Sequence, residues 1–260
     1  MLSFITTEPV IINKNNYIDN TIEKWQKYWL SCNNELYKQI IHLPLSSIEY
    51  LSKDKTSIQQ NYINKTFDAI FFISPNAIYS YYQIYKQDLP SKNIWLIGEN
   101  SYKAFCSYYN HKKYKITYVI KKTNASAKEL FLILAENNQL SNNQNILVIK
   151  GNLGNNWIYE QIQTQYNANI NYLITYTKQY LNYENSQLYL LDEIILKQKF
   201  IHVYISSSDI LYKWKIYIEK YLTNIEIKQI IYTKHIQIKQ KSQEIFANSS
   251  TKVVLIDNLV

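Results

Sequence analysis

The stretch FFISPNAIYSYY, Phe71 to Tyr82, decides how this chain is read. An apolar run ends abruptly at Ser74-Pro75. Apolar positions then recur at Ile78, Tyr81, Tyr82 and Tyr85, the spacing of one helical face. Ser74 is placed to cap that helix by accepting from backbone N–H groups. Pro75 suits the first helical turn, where its missing N–H costs nothing. Ser74 therefore stands where a strand ends and a helix begins, the edge of an open α/β sheet at which ligands bind. Free N–H groups and the positive end of the helix dipole favour an anion there. A cap with no further role accounts for Ser74 equally well.

The same unit recurs along the chain. NIWLIGEN (Asn93–Asn100) leads to SYKAFCSYY, and YKITYVIKK precedes a helix starting at Ser126. NILVIKGN (Asn145–Asn152) leads to NNWIYEQIQTQY, and NYLITYTKQY (Asn171–Tyr180) to a helical stretch over Ser186 to Gln198. IEIKQIIYT precedes a polar helix, and KVVLI closes the series. VYISSSDILYKW, Val203 to Trp214, puts Ser206 where Ser74 stands, 132 residues later. Strands apolar on both faces, alternating with helices, predict parallel sheets in βαβ units. The interval of about one domain predicts two related α/β lobes, each presenting a strand–Ser–helix edge toward a shared cleft. Gly98, Gly151 and Gly154 all follow strands, where glycine admits a close ligand or serves turn geometry. Ser101 is a second candidate cap, and Ser206 to Ser208 a third.

With 260 residues, 47% of them apolar, the chain is long enough for a sizeable core. All 28 basic side chains are lysine, and the net charge of +8 predicts an anionic partner. Nucleic acid fits poorly, because base reading leans on arginine's planar fork and the lysines are scattered, with HKKYK (His111–Lys115) and Lys121-Lys122 the densest runs. Cys32 and Cys106 lie far apart, without metal-ligand spacing, as in a reduced cytosolic protein. No apolar run is long enough to span a bilayer, and the N-terminus lacks the pattern of a signal peptide, so the protein is expected in the cytoplasm.

No G-x-G-x-x-G, P-loop, H-E-x-x-H or G-x-S-x-G motif is present. The histidines, His42, His111, His202 and His235, are dispersed, and His202 sits in an apolar strand as a structural residue. An enzyme built from this chain works by holding a substrate and stabilising charge with hydroxyl or phenol donors.

The segments TTEP (Thr6–Pro9), LPLSSIE (Leu43–Glu49), DAIFFISPNAI (Asp68–Ile78), IWLIGENS (Ile94–Ser101), ILVIKGNLGNNW (Ile146–Trp157), ITYTK (Ile174–Lys178) and VYISSSDIL (Val203–Leu211) follow one another as in the uroporphyrinogen-III synthases, and over nearly its whole length the chain resembles that family. The resemblance implies two flavodoxin-like lobes with parallel sheets, joined by a two-stranded connector. One lobe is discontinuous, residues 1–43 and 178–260. The other is inserted, residues 48–173, with connectors near 44–47 and 174–177. It implies cyclisation of the linear tetrapyrrole hydroxymethylbilane, a polycarboxylate, with inversion of the last ring through a spiro intermediate and loss of water. No cofactor and no metal is implied, nor any nucleic-acid or membrane partner, and the enzyme is expected to be a monomer. Tyr176 becomes the acid-like catalytic group. Ser74, Asn76, Gly98, Ser101, Lys150, Gly151, Ser206, Ser208 and Thr233 become substrate-binding positions, with Thr233 the nearest match to the family's turn after that strand. The family's basic residue near the start is replaced here by Glu8, a charge reversal. A non-enzymatic two-lobed protein that binds a small anion would have the same lobes and cleft.

Overall fold

A computed structural model describes residues 2–8, 10–13, 16–17, 23–27, 37–52, 65–86, 88–120, 126–181, 200–222, 228–234, 236–247 and 250–256. The helix expected over Ser186 to Gln198, Lys121-Lys122, Cys32 and His235 lie outside the described residues. The chain divides into two units, one of Met1–Ile48 with Gln179–Val260 and one of Glu49–Lys178.

In the first unit, β1 (Leu2–Thr6), β4 (Tyr37–His42), β11 (Phe200–Tyr204), β12 (Lys228–Thr233) and β13 (Thr251–Leu255) form a sheet in the order β4-β1-β11-β12-β13. Its pairings are all parallel. This is the flavodoxin order, with its switch point between β1 and β11. Two short strands, β2 (Val10–Asn13) and β3 (Asn16–Tyr17), pair antiparallel. Successive residues of each strand serve opposite faces. Ile5, Val203 and Ile231 pack with Ile210, Leu211, Trp214 and Ile218 of α5 (Ser208–Leu222), and with Ile238 of α6 (Ile236–Ile245). Phe4 and Tyr204 pack with Trp25, from the helical residues 23–27, and with Ile256. Trp214 is fully buried and donates through Nε1 to Gln229 Oε1 at 3.0 Å. Trp214→Ala is therefore expected to cost about 3–5 kcal/mol, read as a lower urea midpoint. A loss below about 1 kcal/mol would mean that this core closes up around the gap.

The Glu8 carboxylate is paired within this unit. It accepts from Lys24 Nζ at 2.7 Å and from Trp25 Nε1 at 2.9 Å. The Glu8 backbone oxygen lies 2.8 Å from His42 Nε2. Glu8 thus fastens the helical segment 23–27 to the end of β1. His202 is buried, 3.1 Å from the Tyr232 hydroxyl and stacked on its ring, and burial lowers its pKa, all as a structural histidine requires.

The second unit holds β6 (Ala69–Phe72), β7 (Asn93–Leu96), β8 (Lys115–Tyr118), β9 (Asn145–Gly151) and most of β10 (Asn169–Tyr180), in the order β10-β9-β6-β7-β8 with parallel pairings throughout. β5 (Ser46–Tyr50) lies on the far side of β10. The chain passes between units inside β5 and again inside β10. α1 (Pro75–Tyr85) and α2 (Gly98–Tyr108) cover one face, where Phe72 meets Tyr81 and Phe105 edge-on. α3 (Ala127–Glu136) and α4 (Trp157–Tyr166) cover the other, packing Leu130, Leu134, Ile158 and Ile162 on Phe71, Trp95, Ile146 and Val148. Helices change face between β6 and β9, which makes the carboxyl ends of those two strands the switch point.

Among the described residues, helix and turn ends take the left-handed region at four residues other than glycine: Lys86, Asn138, Asn143 and Asn167, with φ of 46° to 62°. Gly154 stands at φ 141°.

Candidate active site

Ser74 and Gly151 follow and end the two strands of that switch point, and β10 brings Tyr176 to them. Ser74 caps α1 as its sequence predicts: Oγ accepts from Ala77 N–H at 3.2 Å, and Pro75 fills the first turn. The same Oγ lies 3.1 Å from the Tyr176 hydroxyl.

A bulge in β10 makes this possible. Ile174 pairs with Lys150 and Tyr176 with Gly151, so Thr175 is one residue too many against β9. Such an insertion bends a strand and re-aims its side chains. Thr175 hydrogen-bonds through Oγ1 with Ser80 on α1 at 2.6 Å, while the Tyr176 ring lies flat against Gly151. A Cβ added at Gly151 would stand 2.5 Å from Tyr176 Cε2 and 2.7 Å from Cζ, so only glycine fits beneath the ring. Burial raises the Tyr176 pKa above its ordinary value, while the Ser74 hydroxyl and the Gly151 backbone beside it pull the other way. The phenol keeps its proton at rest.

Around this pair lies a phenol-rich wall. Tyr50 donates to Asn76 Oδ1 at 2.9 Å and packs on Tyr79, with ring centroids 4.7 Å apart. Tyr79 and Tyr82 both pack on Tyr108. Asn76 sits in the first turn of α1, which has no acidic residue, whereas α2, α3 and α4 carry Glu99, Glu129 and Glu160 there.

Lys150 is buried, and among the described residues its ammonium meets neutral groups: Asn156 Oδ1 at 2.8 Å, the Tyr159 hydroxyl at 3.1 Å, and the rings of Tyr159 and Tyr172. Burial lowers its pKa. It ties the loop after β9 back to the sheet through Asn156.

Ser101 corrects the sequence reading. α2 begins three residues earlier, at Gly98 with φ 78°, and its N-cap is Ile97, with no side-chain hydrogen bond. Ser101 lies inside the helix, buried, and donates to Ile97 O at 3.0 Å. The positive φ of Gly98 turns the chain straight from β7 into the helix, and no side chain caps its start.

In the first unit, Ser206 follows β11 and Ser208 opens α5, both partly exposed, while Thr233 ends β12 fully buried. Ser207, between the two serines, has a buried Oγ with no partner among the described residues. Thr7 Oγ1 donates to Tyr204 O at 2.6 Å and closes the β1–β11 switch point.

Sequence reasoning missed Tyr50, Thr175 and Ser80, whose roles depend on strand pairing that no local pattern encodes. A cavity of about 410 Å³ lined by Lys65, Thr66, Phe67, Asn145, Asn169 and Asn171 lies at the opposite, amino end of the strands and includes none of these residues. Among the described residues no cluster of His, Cys, Asp and Glu has metal-binding geometry. No helix among them is long and apolar enough to cross a membrane.

Comparison with known proteins gives these features a context. A sequence search of curated proteins returns no match. By structure, the chain is similar to a mutant uroporphyrinogen III synthase from the extremely thermophilic bacterium Thermus thermophilus at 9% identity, TM-score 0.58, covering 99% of this chain and 93% of the other. The uroporphyrinogen-III synthetase from Helicobacter pylori aligns at 12% identity, TM-score 0.49, over 97% and 92% of the two chains. The family profile described as uroporphyrinogen-III synthase HemD matches residues 35–208, well over half of the sequence. The chain belongs to the uroporphyrinogen-III synthase family.

Proposed function

We propose that the chain cyclises hydroxymethylbilane to uroporphyrinogen III through Tyr176, in porphyrin and haem biosynthesis. The observation that carries the role of Tyr176 is its phenol, seated on Gly151 and 3.1 Å from Ser74 Oγ at the sheet's switch point. In this reading Ser74, which accepts from Ala77, donates its own hydrogen bond to the phenol oxygen 3.1 Å away, and the Tyr176 hydrogen is directed to the departing hydroxyl. The hydroxyl leaves as water, and a carbocation forms on the linear tetrapyrrole. The Ser74 and Gly151 donors hold the transient phenolate. The substituted α-carbon of the last pyrrole ring attacks that cation to form a spiro intermediate; its bond to the old methylene bridge then breaks, leaving the cation on that bridge, and the ring's free α-carbon attacks it, so that the ring ends inverted. The proton then lost from carbon returns to Tyr176, so the balance is one water and no cofactor.

The substrate's carboxylates need donors in a protein without arginine. The first turn of α1, with Ser74 and Asn76 and no acidic residue, supplies them, and we assign Gly98, Lys150 and Gly151 to further contacts at the carboxyl ends of β7 and β9; Ser101, buried with its hydroxyl on Ile97 O, acts there only by shaping the first turn of α2. In the first unit we assign Ser206, Ser208 and Thr233 to further substrate contacts. The net charge of +8 draws a polyanion toward the chain. The enzyme acts in the cytoplasm as a monomer, without nucleic-acid or membrane partners.

The test supplies hydroxymethylbilane and separates the porphyrin isomers after oxidation. Spontaneous closure yields isomer I. Added protein is expected to turn the product to isomer III. Isomer I remaining dominant would favour the reading as an anion-binding protein without catalysis.

A further inference from the structure

We infer that Tyr50 is a positioning residue for this reaction: its hydroxyl fixes the side-chain amide of Asn76 so that the amide's N–H donors face a substrate carboxylate at the start of α1. The inference rests on the function proposed above.

A primary amide has one accepting and one donating end, and either can turn outward. Tyr50 O–H donates to Asn76 Oδ1 at 2.9 Å. A phenol is a better donor than an amide N–H, and an amide oxygen a better acceptor than a phenol oxygen. The pairing that joins the stronger donor to the stronger acceptor therefore sets the orientation. It leaves the Asn76 Nδ2 hydrogens free. The backbone N–H of Asn76, in the first turn after Pro75, has no intrahelical acceptor. Amide and backbone together offer two donors to one carboxylate, a forked site in place of the guanidinium this chain lacks.

Tyr50 is held for the task. Its ring packs on Tyr79 at 4.7 Å, and its strand is bonded to the bulged one through Leu51 N–H and Thr175 O at 3.0 Å. Burial, with the phenols of Tyr79, Tyr108 and Tyr176 beside it, raises its pKa, so it stays a donor wherever the protein works. Tyr176 stands among those neighbours, which puts the anchored carboxylate near the reacting hydroxyl. Tyr50 itself touches neither.

The experiment compares wild type, Tyr50→Phe, Asn76→Ala and the double variant in steady-state formation of isomer III from hydroxymethylbilane. Tyr50→Phe keeps the ring and its packing. It is expected to raise KM about tenfold, the cost of one charge-assisted hydrogen bond, with kcat changed less than about twofold. Asn76→Ala raises KM at least as much, and the double variant matches Asn76→Ala alone, because Tyr50 acts through that amide. An unchanged KM in either single variant, or effects that multiply in the double, would overturn the inference. A fall in kcat at constant KM would also overturn it, by showing that Tyr50 acts on the chemistry. A failure confined to this cycle leaves the function standing. Failure of the function itself shows differently, as isomer I from the wild-type protein.

Discussion

Gly151→Ala is expected to remove nearly all formation of isomer III from a protein that still folds. The added methyl would lie 2.5 Å from Tyr176 Cε2, closer than carbon atoms approach. Gly151 is backbone within β9, paired with Tyr176 on one side, so it cannot retreat without breaking that register. The ring gives way instead, and its hydroxyl leaves the position 3.1 Å from Ser74. Over-packing of this kind costs about 1–3 kcal/mol of stability, which a urea titration reads. Misplacing a proton donor costs about 100-fold or more in rate. The signature is that disproportion: a large loss of kcat against a modest loss of stability. If Gly151→Ala turns over within about threefold of wild type, the phenol does not need its seat, and the assignment of Tyr176 falls with it.

Tyr176→Phe is the direct counterpart. It removes one oxygen and leaves the ring on Gly151, so the fold should stand while isomer III forms about 100-fold more slowly. Combining it with Gly151→Ala should add little further loss, since both changes withdraw the same group. The pH profile carries a second signature. Burial holds the Tyr176 pKa above its ordinary value of 10, so its protonated form persists past that pH, and its ionisation causes no fall in rate on the way from pH 7 to pH 10. A rate limb in that window that Tyr176→Phe abolishes would contradict the environment described for the phenol.

What could be read in advance was the part that local chemistry determines. Ser74-Pro75 announces a cap and a first turn within three residues, and Ser74 Oγ does bind the Ala77 amide. The buried, helical recurrence of Ile78, Tyr81 and Tyr85 was equally local. Ser101 was misread because a cap and a buried first-turn serine look alike in sequence. Gly98 decides between them by turning left-handed at the strand's end. The bulge at Thr175 has no sequence mark at all, since it exists only relative to β9. Tyr50 meets Asn76 across 26 residues, and Glu8 meets Lys24 across 16. In a chain with 26 tyrosines nothing singles out one phenol until strand pairing brings it to its partner.

The left-handed positions bear on how the chain tolerates its own composition. Where φ lies between 46° and 62°, asparagine or lysine has been accepted, at the small cost such residues bear in that region. Glycine is kept at Gly154, whose φ of 141° no side chain tolerates well, and at Gly151, where a tyrosine ring occupies the space. Of the three glycines in the chain, Gly98 and Gly154 stand at positive φ, and at Gly151 a tyrosine ring fills the space of a Cβ. Each glycine thus sits where a side chain would strain the backbone or strike a neighbour, and one of them lies directly under the proposed catalytic phenol.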